Sequence, residues 1–286
     1  MEQDLSYGSD YKYIPATSIG SGIGIELLPD IYCCTIQIVN IAFVGCPSQD
    51  DFVLVDAGMP QSAEKIFAMA EDRFGKNRRP KAIVLTHGHF DHVGALVDLV
   101  KEWKVSVYAH ELEMPYLSGQ RSYPEPDPAA AGGFVAKMSP IFPIEPINIG
   151  KHLHRLPSDG SVPHLPGFRW LHTPGHTPGH VSLFRDSDRA LIAGDAFVTV
   201  KQEYLYQVVT QKKEISGPPR YLTTDWEAAK ASVEALAALK PNVALTGHGI
   251  PMEGEELRKQ LQTLAENFEL MAVPDKGKYA GERPLH

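Results

Sequence analysis

The chain is 286 residues long, enough to bury a sizeable core as one large domain or two small ones. Its apolar fraction of 43% and charged fraction of 22% are ordinary for a folded soluble protein. A net charge of −8, with no clustered Lys/Arg face, argues against nucleic acid as the main partner, because phosphate backbones are held by Lys and Arg.

The opening Met1-Glu2-Gln3-Asp4 lacks a basic start ahead of an apolar stretch, and no apolar run approaches a membrane span. No signal peptide and no membrane partner are expected, and cytoplasmic is the expected location. Residues 22–44 are rich in Ile, Val, Cys, Phe and Thr, broken at Pro29-Asp30, and read as two or three strands. Cys33 and Cys34 lie in that stretch on opposite strand faces, and with Cys46 they make neither a disulfide framework nor a zinc knuckle. They read as small buried apolar side chains. Residues 52–55 form a short strand that ends at Asp56-Ala57-Gly58.

Residues 62–74 have helical spacing after Pro60 and are closed by Gly75. Residues 81–85 read as a buried strand, 93–103 as a helix and 105–108 as a strand. From 117 to 167 the chain is proline-rich and irregular, which predicts a flap or lid. Short strands follow near 168–171, 181–184 and 190–193, then a second insertion over 199–224. Residues 225–239 form an alanine-rich helix capped by Thr224 or Asp225, 243–245 a strand, and 255–271 an amphipathic helix. Intermixed strands and helices without a linker or repeat predict one α/β domain over 1–286, carrying two insertions.

The strand over 81–85 delivers the chain into His87-Gly88-His89-Phe90-Asp91-His92, a cluster of ligand-type residues on a rigid base. In extended chain, positions 87, 89 and 91 project to one side. Gly88 frees the backbone to bend close to a metal. A helix starting near Asp91 would turn Asp91 and His92 toward a different point, so one loop can serve two adjacent ions. Three more ligand candidates follow: His176 in Thr173-Pro174-Gly175-His176-Thr177-Pro178-Gly179-His180, Asp195 in Ala193-Gly194-Asp195-Ala196, and His248 in Gly247-His248-Gly249. Each sits where an apolar run stops and glycine permits a tight turn, which is where α/β proteins build their sites.

The series His-x-His-x-Asp-His, Thr-Pro-Gly-His, Gly-Asp and Gly-His-Gly resembles the metallo-β-lactamase superfamily. Leu54-Val55-Asp56-Ala57-Gly58 resembles the Asp-bearing turn that precedes the metal loop in that family. The resemblance runs from about residue 25 to residue 270. It implies an α/β fold, an αββα sandwich of two mixed sheets packed face to face with helices outside. It also implies that His87, His89 and His176 hold one metal, that Asp91, His92 and His248 hold the other, and that Asp195 bridges the pair.

A set of imidazoles and carboxylates without thiolate suits two zinc ions, with iron or manganese as alternatives. In this reading Asp56 accepts a hydrogen bond that orients the ligand loop, and His180 is a candidate for a similar supporting role. Phe90, between the ligands, is a candidate for either the substrate pocket or the packing. The implied chemistry is hydrolysis. Two cations about 3.5–4 Å apart would hold a bridging water and lower its pKa toward about 7. The hydroxide attacks a carbonyl or phosphoryl centre, and the second metal or a protonated Asp91 or Asp195 assists the leaving group. No Gly-x-Ser-x-Gly elbow offers a competing nucleophile. His110, His152, His154, His164, His172 and His286 lack ligand-like context and read as packing or surface residues.

Departures within the family narrow the substrate. Its true β-lactamases lack a bridging aspartate where Asp195 stands, which argues against an antibiotic substrate. The interval from Asp195 to His248 is too short for the inserted domain of the nucleic-acid-processing branch. The residues after His248 leave little room for the helical region of glyoxalase II. Lactonases are similar in size and motif order, but they carry a tyrosine where this chain has Val198; Tyr204 and Tyr206 are candidate substitutes. The expected substrate is a small ester, lactone or thioester. The alternative is an oxidoreductase resembling the sulfur dioxygenases of this fold, with one iron on His87, His176 and Asp195. A binding protein that has lost catalysis is disfavoured by the intact ligand series. The sequence does not fix the oligomeric state.

Overall fold

The computed structural model describes residues 5–49, 51–131, 133–200 and 213–280. The chain divides into two compact units, one of Met1–Tyr123 with Pro143–Trp170 and one of Pro124–Phe142 with Leu171–His286.

The first unit carries a seven-stranded mixed sheet whose strands lie side by side in sequence order. Strands β1 (Gly24–Leu28), β2 (Ile31–Ile36), β3 (Val39–Val44) and β4 (Val53–Val55) run antiparallel in turn. Strands β5 (Ala82–Val84), β6 (Ser106–Ala109) and β7 (Leu153–Arg155) then continue from β4 in parallel. β3 and β4 are buried throughout, which is why Val-Leu-Val reads as an unbroken apolar run and Val-Asn-Ile-Ala-Phe-Val is interrupted only at Asn40.

Parallel neighbours need crossover connections. Helix α1 (Ala63–Phe74) supplies the first, burying Ala63, Ile66, Ala70 and Phe74 along one face. The Phe74 ring stacks on Phe52 at 3.9 Å, which fixes the helix end against β4. Helix α2 (Leu96–Trp103) supplies the second crossover and stops at Lys104, which adopts a left-handed conformation.

α2 begins later than the apolar pattern from residue 93 predicts. Gly94 and Ala95 instead donate backbone hydrogen bonds to Gly58 and Ala57, at 2.8 and 3.2 Å. The irregular stretch over 117–167 contains the end of α3 (Met114–Leu117), helix α4 (Phe134–Met138) and strand β7. These pieces are too short to show a period in sequence.

The second unit carries β8 (Phe168–His172), β9 (Val181–Arg185), β10 (Ala190–Gly194), β11 (Val243–Thr246) and β12 (Met252–Glu253), in the sheet order β12-β11-β10-β9-β8. β9 and β10 form an antiparallel hairpin, and β10 and β11 run parallel. Helix α5 (Trp226–Ala238) lies between β10 and β11 in the chain, with Asp225 capping its start by accepting from the Ala228 N–H at 2.9 Å. Helices α6 (Gly254–Glu266) and α7 (Phe268–Met271) follow β12. Leu257, Leu261 and Leu264 of α6 join Trp226, Val233 and Leu236 of α5 and Leu191 of β10 in one buried cluster. No helix among the described residues is long and apolar enough to cross a membrane.

Candidate metal centre

Beyond β5 the chain extends through Leu85 and then turns sharply. The His92 and Val93 N–H groups both donate back to the His89 carbonyl, at 2.9 and 3.1 Å. This turn gathers His87, His89, Asp91 and His92 at one strand end, with His87 ring centroids 4.8 Å from His89 and 4.2 Å from His92. Phe90 is buried in the same turn, as are all four ligand candidates.

The Asp56 turn supports this loop from below. The Ala57 N–H donates to the His92 carbonyl at 2.7 Å. Asp56 itself is buried at a left-handed φ of 62°, a conformation Asp tolerates better than most residues. Its Oδ1 accepts from the Thr86 N–H and its Oδ2 from the Thr86 hydroxyl, both at 2.8 Å. Oδ2 also lies 2.8 Å from His92 Nδ1. A carboxylate can only accept, so a neutral His92 carries its proton on Nδ1 and its lone pair on Nε2. The Thr86 proton is spent on Asp56, so the same oxygen accepts from His87 Nδ1, 3.1 Å away. His87 is therefore set in the same tautomer.

Gly88 sits between the first two ligand candidates, and its N–H donates to Glu113 Oε2 at 2.9 Å and to the Tyr123 hydroxyl at 3.0 Å. Tyr123 donates in turn to Glu113 Oε2. Burial pushes the Tyr123 phenol well above its ordinary range, and the Glu113 carboxylate adds to the shift, so the phenol keeps its proton.

The second unit holds the remaining candidates. His176 lies between β8 and β9, Asp195 directly after β10, and His248 two residues after β11. One oxygen, Asp195 Oδ2, lies 3.5 Å from His176 Nε2 and 3.3 Å from His248 Nε2. Thr223 donates its hydroxyl proton to the Pro219 carbonyl at 2.8 Å and so accepts from His176 Nδ1 at 3.0 Å. His176 is thereby fixed with Nε2 toward Asp195.

His180 is buried on the same cluster, where its Nε2 accepts the Asp195 N–H at 2.9 Å. The rest of its network has a determined direction. Ser182 donates to the Ala193 carbonyl, Thr173 donates to Ser182, and Thr173 Oγ1 accepts from His180 Nδ1 at 2.9 Å. The ring thus links Asp195 to the motif that contains His176.

Both sets fit a divalent ion. The donors are imidazole nitrogens and carboxylate oxygens without thiolate, none more than 5% exposed. Three of the histidines have Nδ1 held by a neighbour, leaving Nε2 for an ion. The separations of 3.3 and 3.5 Å around Asp195 match the edge of a tetrahedral shell, ~3.3 Å for ligands ~2.0–2.1 Å from an ion.

His286 lies outside the described residues, and the other remaining histidines behave as packing or surface groups. His172 Nε2 lies 2.8 Å from the Pro178 carbonyl, His152 Nδ1 lies 3.1 Å from the Val105 carbonyl, and the His154 ring is 5.5 Å from Tyr108. Val198 is buried in a two-residue antiparallel bridge with Ser216. Tyr204 and Tyr206 lie outside the described residues. Thr86, Glu113, Tyr123 and Thr223 escaped the sequence reading. Only Thr86, adjacent to His87, had a positional signal.

The family model for the metallo-beta-lactamase superfamily matches residues 35–248. The chain is 51% identical to the probable metallo-hydrolase YflN of Bacillus subtilis (strain 168) over 254 residues, covering 88% of this chain and 96% of the relative. The hydroxyacylglutathione hydrolase GloC of Haemophilus influenzae is 30% identical over a shorter 117-residue stretch, covering 40% of this chain and 49% of that protein. Among solved structures, TTHA1623 in a di-iron-bound form aligns with a TM-score of 0.52 at 26% identity, over 85% of this chain and 96% of that one. BJP-1, a subclass B3 metallo-beta-lactamase of Bradyrhizobium japonicum, aligns at 0.59 and 20% identity over 89% and 94%, a likeness of fold.

Proposed function

The chain belongs to the metallo-β-lactamase superfamily, and on that premise we propose that it is a dinuclear metal-dependent hydrolase of a small ester, lactone or thioester. In this reading His87, His89 and His176 hold one divalent ion, Asp91, His92 and His248 hold the other, and Asp195 is shared. Zinc suits these donors, and iron or manganese could replace it. A small-molecule substrate and a cytoplasmic location are part of the proposal.

The observation that carries the dinuclear reading is the position of Asp195 Oδ2, faced by the Nε2 atoms of both His176 and His248. A carboxylate oxygen flanked by one proposed ligand of each ion supports the shared role. Such a pair of ions would supply an activated water and polarise the acyl carbonyl.

The protein's own residues do the rest. Asp56, Thr86 and Thr223 fix the tautomers of His92, His87 and His176 before any ion arrives, so binding does not have to reorient the rings. Burial of the whole donor set excludes competing water. Asp91 or Asp195 takes the proton and returns it to the leaving oxygen or sulfur. An acyl substrate is supported by the likeness to a hydroxyacylglutathione hydrolase. The position of the lactonase tyrosine is held here by Val198, which is buried in its bridge with Ser216.

The alternative is a mononuclear iron dioxygenase using His87, His176 and Asp195. It draws on the di-iron relative for iron chemistry in this fold, but it gives His248 no reason to face Asp195. Elemental analysis of protein purified without added metal, followed by assays on lactones, thioesters, esters and phosphodiesters, separates the readings. Two zinc ions per chain with acyl turnover is the expected result. One iron with oxygen uptake would favour the dioxygenase, and two ions without acyl turnover would break the substrate class.

A further inference from the structure

We infer that Glu113 and Tyr123 are positioning residues that hold the His87-Gly88-His89 segment for one metal ion and leave the other ion to a separate support. The inference rests on the dinuclear reading above. Gly88 lies between two ligands, so the direction of its peptide sets where both imidazoles begin. Its N–H is shared between Glu113 Oε2 at 2.9 Å and the Tyr123 oxygen at 3.0 Å.

Tyr123 has one proton, and it is given to Glu113. Its oxygen is therefore free to accept from Gly88, and the three groups close a triangle in which each donor has an acceptor. Glu113 has no exposed surface. A carboxylate in that position is costly unless donors converge on it, and Gly88 and Tyr123 both do. The Tyr123 ring is itself stacked on Tyr116, with centroids 3.9 Å apart, and lies 4.5 Å from the His89 ring. The space is full: a Cβ on Gly88 would stand 2.6 Å from the Tyr123 oxygen.

His92 has a different support. Its ring is held by Asp56 and its carbonyl by the Ala57 N–H. The Gly88 peptide is thus steadied by Glu113 and Tyr123, whereas Asp56 holds the His92 ring directly and reaches His87 only through Thr86. Disturbing either support should weaken one ion more than the other, which a general loss of packing would not do.

The test is zinc titration of the metal-free protein against a chromophoric chelator, for wild type, Tyr123→Phe, Glu113→Gln and Asp56→Asn. Cobalt(II) spectra report the coordination of each site, and melting of the metal-free proteins reports fold damage. Tyr123→Phe and Glu113→Gln should each weaken one of two zinc sites by about 10–100-fold, with the second site unchanged. Asp56→Asn should weaken the opposite site most, with a smaller effect on the first site through Thr86 and His87. The inference is overturned if the wild type binds two ions and the Tyr123 and Glu113 variants bind both as tightly. Equal weakening of both sites, in step with a lower melting temperature, would also overturn it. A wild type that takes up fewer than two ions would sink the dinuclear reading itself, and the inference with it.

Discussion

Asp56 reaches His92 Nδ1 at 2.8 Å from a backbone held at a φ of 62°. Asn tolerates that conformation as well as Asp does, so Asp56→Asn tests the carboxylate with little backbone strain. The new amide would donate to His92 Nδ1 and force the ring proton onto Nε2, the atom proposed to face the ion. Zinc affinity at that site should fall about 10–100-fold, measured by chelator competition. Unchanged affinity would show that the carboxylate does not set the tautomer.

Asp195→Ala removes the oxygen that both His176 and His248 face. Hydrolytic activity should drop more than about 100-fold, beyond the range seen for residues that only support a ligand, while far-ultraviolet circular dichroism stays native. Full turnover by this variant would end the shared-ligand argument.

Chelation of the wild-type protein should lower its melting temperature, because an ion that binds only the folded state stabilises it. The effect is about 2.7 kcal/mol per site at a free ion concentration of 100 times Kd. Differential scanning calorimetry with and without chelator measures it, and coincident transitions would contradict a metal site in the folded protein.

Gly175 precedes His176 at a φ of 126°, and its carbonyl accepts from the Thr224 and Asp225 N–H groups at the start of α5. A Cβ there would collide with the backbone of Ala229. Gly175→Ala should cost about 1–3 kcal/mol through overpacking and weaken metal binding through His176. Denaturant unfolding of the metal-free variant reads the first effect, and a stability equal to wild type would refute it.

Burial pushes the Cys34 thiol up to about 12 and the Cys33 thiol well above its ordinary range. Cys33 and Cys34 are buried, whereas Cys46 is partly exposed. A thiol reagent at pH 8 should therefore label Cys46 alone in the native protein and all three cysteines in denaturant. Rapid native labelling of all three would contradict the packing of β2.

The proposed ligands were legible in sequence because each is a polar residue set against an apolar strand end and a glycine. Asp56 was legible for the same reason, at the end of β4. Glu113, Tyr123 and Thr223 were not. Each is an ordinary polar residue in a stretch without periodicity, and its partner is far away in the chain: Gly88 for Glu113 and Tyr123, His176 for Thr223. Helix α2 was read too early because Val93 continues the apolar pattern, while Gly94 and Ala95 are spent on hydrogen bonds to the Asp56 turn. Strand β7 was missed because only Leu153 of its three residues is strongly apolar, and its place comes from pairing with β6.

The seven strands of the first sheet lie in the order in which they are synthesised. Each strand through β6 can add to a neighbour already made, with loops of modest length to close. Asp56 emerges before His92, and the turn that orients the imidazole stands ready when the imidazole arrives. Pulse-labelled hydrogen exchange should then show β2, β3 and β4 protected no later than β7. During translation, a growing chain can finish the histidine loop while His176, Asp195 and His248 are still unmade, so four of the seven proposed donors can be in place before the other three leave the ribosome.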